Sequence, residues 1–156
     1  MQDLIAVNSK NVAARFALAG FIVGAIILGW YAVRWQIGNL LATITSPADP
    51  NAAEVAAAAV NCAPSNPYTV RLLAATRNDQ ADTIADLEKA VRLAPNDYRW
   101  RVELARAYEQ NDEFDRAERE FKRAVDVAPQ YANPSWFLGN FYLRQDREAD
   151  ALTELK

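Results

Sequence analysis

The chain has 156 residues, enough for one domain and a short appendage, and carries 17 basic against 20 acidic side chains, a formal net charge of −3. With no histidine and a single cysteine, Cys62, it has no parts for imidazole metal sites, Cys–His nucleophile pairs or internal disulfides. A pI near 5.0 argues against nucleic acid as a partner, because phosphates exchange their counterions only on a basic face.

The charge is unevenly spread. Residues 1–40 hold Lys10, Arg15 and Arg34 against Asp3 alone, and the remainder is acidic, so the two parts face different surroundings. After a short N-terminus, residues 1–14, the stretch from Phe16 to Val33 has 18 residues without a charge, bounded by Arg15 and Arg34. As a helix it spans roughly 27 Å, close to the hydrocarbon thickness of a bilayer, and the flanking arginines can snorkel over the shortfall. Its apolar residues run all round and not along one stripe, which disfavours a buried helix of a soluble domain. Trp30, Tyr31 and Trp35 sit at its C-terminal edge, where amphipathic rings prefer the headgroup layer. Ser46-Pro47-Ala48 offers small residues to a signal peptidase, but it lies well beyond the apolar run, and signal cores are shorter than this one. A membrane helix over residues 15–37 is therefore expected, followed by an interfacial segment and linker over 38–50. Gln36 to Thr45 can extend the helix along the surface before Ser46-Pro47-Ala48-Asp49-Pro50 breaks it.

Lys10 and Arg15 precede the apolar run, and after Arg34 no base occurs until Arg71. The positive-inside rule then puts the N-terminus in the cytoplasm and the rest outside, which in a bacterium means a single-pass inner-membrane protein with a periplasmic domain. Gly20 and Gly24 make a small-xxx-small pair through which another helix could approach closely.

Beyond the anchor the sequence repeats itself. Ala-Pro closes three apolar-periodic stretches, at Ala63-Pro64, Ala94-Pro95 and Ala128-Pro129, and VRLAP at 91–95 is echoed 34 residues later by VDVAP at 125–129. Leu104, Ala105, Tyr108, Ala117, Phe121, Ala124 and Pro129 set an apolar, small and aromatic pattern that ends in a helix-breaking proline, and Asn111-Asp112-Glu113 has the composition of a turn within it. Leu138, Gly139, Tyr142, Ala151 and Leu155 continue the pattern. Before it, Leu87, Ala90 and Pro95 fit, but Ala74 stands where an aromatic is usual and Thr83 where alanine is usual.

This pattern resembles the tetratricopeptide repeat. The resemblance implies an all-α fold, a single N-terminal transmembrane helix followed by an α-solenoid of antiparallel helix pairs over residues 51–156, with units at about 64–97, 98–131 and an incomplete 132–156. The alanine-rich stretch from Asn51 to about Asn61, opened by Asp49-Pro50-Asn51, is expected as a helix over the open N-terminal side of the solenoid. The last unit stops within its second helix, which implies either a longer chain or a partner over Trp136, Phe137 and Leu155.

In such repeats the first helices line a concave groove that binds other proteins. The resemblance nominates Tyr68 and Leu72, then Arg99, Val102, Arg106 and Glu109, then Trp136, Asn140 and Arg144, with Arg106, Asn140 and Arg144 suited to a carboxylate or acidic segment. The lysine and asparagine set with which some family members hold a chaperone's terminal carboxylate is represented by Asn140 alone, so that activity does not carry over. No catalytic residue, metal ligand or cofactor motif stands out: Asp112, Glu113 and Asp115 lack calcium-loop spacing, and there is no glycine-rich phosphate loop or nucleophile motif. The expected function is a membrane-anchored extracytoplasmic scaffold for protein–protein interaction, with other proteins and the lipid bilayer as its partners. The alternative is an accessory subunit of a larger membrane complex, energy-transducing or envelope-building, held through its transmembrane helix.

Overall fold

The computed structural model describes residues 12–155, so the expectations for Lys10, Lys156 and most of the N-terminal 14 residues lie outside the described part. Within it are eight helices and no strand: α1 (Val12–Ile44), α2 (Ala52–Cys62), α3 (Pro67–Ala75), α4 (Gln80–Leu93), α5 (Tyr98–Gln110), α6 (Phe114–Val127), α7 (Ala132–Arg144) and α8 (Glu148–Glu154). From α3 onward they form three antiparallel pairs, α3 with α4, α5 with α6 and α7 with α8, each stacked on the next.

α1 is 33 residues long, about 50 Å of helix. From Ala14 to Ile44 its mean hydropathy reaches 2.2, long and apolar enough to cross a membrane, and its large side chains from Phe16 to Val33 are exposed around the whole circumference. It does not stop where the apolar run stops. No breaker occurs before Pro47, and α1 continues through Gln36 to Ile44, the extension expected for Gln36 to Thr45, before the chain turns at 47–51.

That continuation is packed against the solenoid. Arg34 Nη2 donates to the carbonyl of Asn61 at 2.6 Å, where a cation satisfies an otherwise unpaired acceptor at the negative end of α2. Gly38 is buried, and a Cβ there would come within 2.7 Å of Ala63 Cβ and 2.8 Å of the Ala59 carbonyl oxygen. The Asn66 side chain, itself buried, donates to Asn39 Oδ1 at 3.1 Å.

α2 packs against α3 on the N-terminal side of the solenoid, as the sequence suggested, but it does so together with α1. Ala59 takes the place that Ala90 and Ala124 hold in α4 and α6, each four residues before the helix-ending Ala63, Ala94 and Ala128, and all six are almost fully buried or half-buried. Ala52, Ala56 and Ala59 point the same way and are at most 3% exposed. α2 is the second helix of an additional hairpin whose first helix is the end of α1. Alanine where the other hairpins carry Leu87 or Phe121 lets the two backbones close on each other. The start of α2 also differs from expectation: Asn51 precedes it without a side-chain cap, Pro50 lies in the turn, and Asp49 accepts from the Ser46 amide at 2.9 Å.

The diverged unit has a simple cause. Asn66 and Asp97 cap α3 and α5 in the same way, each accepting an amide two residues on, so Pro67 corresponds to Tyr98 and Ala74 to Ala105, the small position. Ala74 thus does not replace the aromatic. α3 has 9 residues against 13 in α5, and the missing last turn is what carries Tyr108 in the next unit.

The core runs between the pairs. Phe121 and Phe141 stack with centroids 5.3 Å apart, with Leu104, Tyr108, Leu138 and Tyr142 around them. Gly139 faces Leu155, whose Cγ would lie 2.6 Å from any Cβ there, so the Leu155 side chain rests directly on the α7 backbone. The α5–α6 and α7–α8 turns match: Asp112 and Asp146, 34 positions apart, both have φ of 58°, and Glu113 and Arg147 each return an amide at 2.9 Å to the tyrosine carbonyl five residues back. This is a Schellman closure with aspartate in the left-handed position usually given to glycine.

Candidate partner-binding cleft

Seven side chains from two parallel first helices enclose a cleft of about 750 Å³: Arg106, Glu109 and Gln110 of α5, and Trp136, Phe137, Asn140 and Arg144 of α7. Residues three and four apart share a helix face, so each helix offers one continuous stripe to the space between. Trp136 is 55% exposed and packs edge-on against Phe137 with centroids 5.0 Å apart, giving the cleft an apolar wall.

The opposite side is polar, and its groups are unequally committed. Arg144 clamps Glu109 with both prongs, Nε to Oε1 at 2.7 Å and Nη2 to Oε2 at 2.9 Å, and this hydrogen-bonded carboxylate raises the guanidinium's pKa further. Asn140 donates its amide to the Trp136 carbonyl at 2.7 Å, leaving its oxygen outward. Arg106 is exposed and has neither an ion pair nor a side-chain hydrogen bond among the described residues. The cation available for a carboxylate is thus Arg106. Of the three residues expected to receive a carboxylate, Arg106 is uncommitted, and Asn140 and Arg144 already bond within the chain.

Five of the nine nominated residues, Arg106, Glu109, Trp136, Asn140 and Arg144, meet at this cleft. Two do not reach any surface: Leu72 is 3% exposed and Val102 4%, because each faces a neighbouring helix, and both serve the core. The remaining two form a separate group near the start of α3 and α5. Arg99 donates to Tyr68 Oη at 3.1 Å and is held by Asp97 at 2.6 Å, a hydrogen bond that keeps the Asp97 carboxyl below its ordinary range. Tyr68 meets Trp100 edge-on at 5.1 Å. Trp100 is buried against Val70 and Ala90, as an inter-repeat packing residue. Gly20 and Gly24 lie on the open part of α1, with nothing within 4 Å of where a Cβ would be.

Away from the cleft, successive units are joined by contacts that sequence reasoning missed. Tyr108 donates to Glu88 Oε1 at 2.6 Å while Arg116 lies 4.2 Å over its ring and donates to the same carboxylate at 3.1 Å. One unit on, Tyr142 donates to Glu118 Oε1 at 3.1 Å, and Arg147 lies 4.4 Å over its ring and reaches Glu118 Oε2 at 2.6 Å. Burial tends to raise the Glu118 pKa, but the bonds from Arg147, Lys122 and Tyr142 outweigh it and hold the carboxyl down at about 2. For Tyr108, burial and then the Glu88 hydrogen bond act together to push the phenol up. The two acids do not stand at equal repeat positions, nor do the two arginines, so a fixed-period scan passes over the device. Arg101 and Glu120 form a third lock at 3.0 Å, both largely buried. Gln110 and Phe137 join the cleft because Gln110 lies four residues after Arg106 and Phe137 three before Asn140, on the same helix faces.

Residues 72–132 match the tetratricopeptide repeat family model. The solenoid has the tetratricopeptide fold. Solved structures agree: one of MamA superposes with a TM-score of 0.63 at 16% identity, covering 80% of this chain and 74% of that one. MamA residues 41 to the end from Desulfovibrio magneticus RS-1 gives 0.63 at 21% identity, covering 80% and 71%. TTC0263, a thermophilic tetratricopeptide protein of Thermus thermophilus, gives 0.59 at 19%, covering 67% and 61%. No curated protein sequence matches the chain. At these identities the likeness is one of fold.

Proposed function

We propose that this chain is a membrane-anchored scaffold whose tetratricopeptide solenoid, outside the cytoplasm, holds another protein through the α5–α7 cleft. The observation that carries the reading is the pairing of an unpartnered, exposed Arg106 with the exposed face of Trp136 across one cleft. A protein segment carrying a carboxylate next to an apolar side chain satisfies both at once. The apolar α1 and its arginine boundary support the anchor, and Lys10 and Arg15 before the run against Arg34 after it support a cytoplasmic N-terminus. For a bacterial chain this is the inner membrane, with the solenoid in the periplasm. The cleft offers no acid or base set apart in an apolar pocket, which favours docking over catalysis.

A second reading has its own support. Gly20 and Gly24 leave a flat, unoccupied strip on α1, suited to another transmembrane helix in a larger membrane complex. Purification of the full chain from membranes in mild detergent separates the two. With Arg106→Glu the co-purifying protein is lost under the scaffold reading and retained under the subunit reading. Gly24→Leu has the opposite pattern. A chain that runs alone in its unaltered form refutes both.

A further inference from the structure

The joint between α1 and the solenoid fixes which edge of the helical pairs lies nearest to the apolar segment. α2 runs antiparallel to the end of α1 and brings Asn61 back to the level of Arg34, while α3 starts beside Asn39. Five residues of helix separate Arg34 from Asn39, about 8 Å, against a polar headgroup layer of roughly 5–7 Å on each side of a bilayer. The turn at 63–66 is therefore at headgroup level if Arg34 marks the boundary. The turns at 94–97 and 128–131 lie on the same edge, since each joins a second helix to the next first helix. Direct contacts link this edge from Asn39 to Asn66 and from Tyr68 to Arg99, and join Tyr98 to Tyr131, whose rings are 5.9 Å apart.

The two edges of the solenoid differ in chemistry. The turns on the far edge, at 45–51, 76–79, 111–113 and 145–147, hold Asp49, Arg77, Asp79, Asp112, Glu113, Asp146 and Arg147, five acids and two bases. The near turns hold one charged residue, Asp97, and it is neutralised by Arg99 at 2.6 Å. In place of charge they carry Pro64, Pro95 and Pro129, with Tyr68 43% and Tyr131 55% exposed beside them. Tyrosine and uncharged polar groups suit the headgroup layer, and an acidic edge is repelled by anionic lipid.

We propose that this near edge, marked by Tyr68, Tyr98, Arg99 and Tyr131, rests on the phospholipid headgroups of the membrane that α1 crosses, so that the solenoid lies along the bilayer and does not stand off it. The proposal rests on the membrane-anchor reading, and its test keeps the two apart. In a Cys62→Ser background, the full chain is labelled with one environment-sensitive fluorophore at Gln130→Cys or Tyr131→Cys on the near edge, at Asp146→Cys on the far edge, or at Phe21→Cys in α1. Each is reconstituted in vesicles of phosphatidylcholine and phosphatidylglycerol that carry a quencher on either the headgroup or the acyl chain.

The expected result is loss of most fluorescence at positions 130 and 131 with the headgroup quencher, little loss at 146, and loss at 21 with the acyl-chain quencher. Quenching at 21 with positions 130, 131 and 146 all alike overturns the edge proposal and leaves the anchor standing. No quenching at 21 overturns the anchor, and the edge proposal with it. Gln130 is exposed and outside the core, so its label reports even where the Tyr131 substitution disturbs the stack on Tyr98.

Discussion

Replacing Gly38 with alanine tests whether the long helix is part of the solenoid or merely tied to it. In a free helix the change is favourable by about 0.5–1 kcal/mol, because alanine loses less backbone freedom than glycine on folding. At Gly38 the new methyl would lie 2.7 Å from Ala63 Cβ, 2.8 Å from the Ala59 carbonyl oxygen and 3.0 Å from the Ala63 amide nitrogen. Two of these atoms are backbone, and the third is a methyl fixed to it. The contact is relieved only by moving α2 away from α1, and such overpacking costs about 1–3 kcal/mol. The overpacking cost exceeds the gain in helix propensity, so Gly38→Ala destabilises the first hairpin. Solenoids open locally, and amide hydrogen exchange of the detergent-solubilised full chain is the suitable readout. A cost of about 1.4 kcal/mol corresponds to roughly tenfold faster exchange across α2, with α6 unchanged. Gly29→Ala is the control: nothing lies within 4 Å of its Cβ position, so it leaves α2 protection unaltered. If Gly38→Ala slows exchange in α2, or matches Gly29→Ala, then α1 and α2 do not pack as a pair.

Asp112→Gly and Asp146→Gly each raise stability by about 0.5–1 kcal/mol in thermal melts, since both positions have φ of 58° and glycine adopts that conformation without a Cβ penalty. Glu118 is held at about 2 against an ordinary 4.5, so the stability it contributes is fully present above pH 4.5 and is lost as the pH falls toward 2. After solvent screening the loss is on the order of 1 kcal/mol, and Glu118→Gln removes that part of the acid sensitivity; an acid melt identical in the two proteins refutes the lock. Leu72→Ala lowers stability by about 2–5 kcal/mol, as expected of a buried leucine, and an exposed groove residue would show almost no change in the same melt.

The period of 34 and the buried positions Ala105, Tyr108, Ala117, Phe121 and Ala124 were legible because each repeats the same packing demand, and a repeated demand leaves a repeated residue type. The groove nominations were legible in part. Position along a first helix says which way a side chain points, and Arg106, Trp136 and Asn140 do line one cleft. It does not say how closely the next pair stacks, which is what buries Val102 while Trp136 stays open. The cross-unit locks of Tyr108 and Tyr142 were not legible, because their acids and arginines change place between units and only the tyrosine keeps its register.

The first hairpin was missed for a related reason, and the omission bears on function. AAEVAAAAV has no aromatic or leucine mark to announce a repeat, yet alanine at 52, 56, 59 and 63 is what permits α2 to lie against Gly38. A flexible linker over residues 38–50 would let the solenoid roam by roughly 20 Å in any direction above its anchor. A helix that enters the solenoid and is fastened by Arg34, Gly38 and Asn39 removes that freedom. Under the proposed membrane-anchored scaffold, the cleft is then presented at one height and one angle, and a partner in the same membrane would meet it without the entropy cost of ordering a tether. On that reading the same stiffness would disfavour partners whose binding segment sits at another depth, and the joint between α1 and α2 would set specificity alongside the side chains of the cleft.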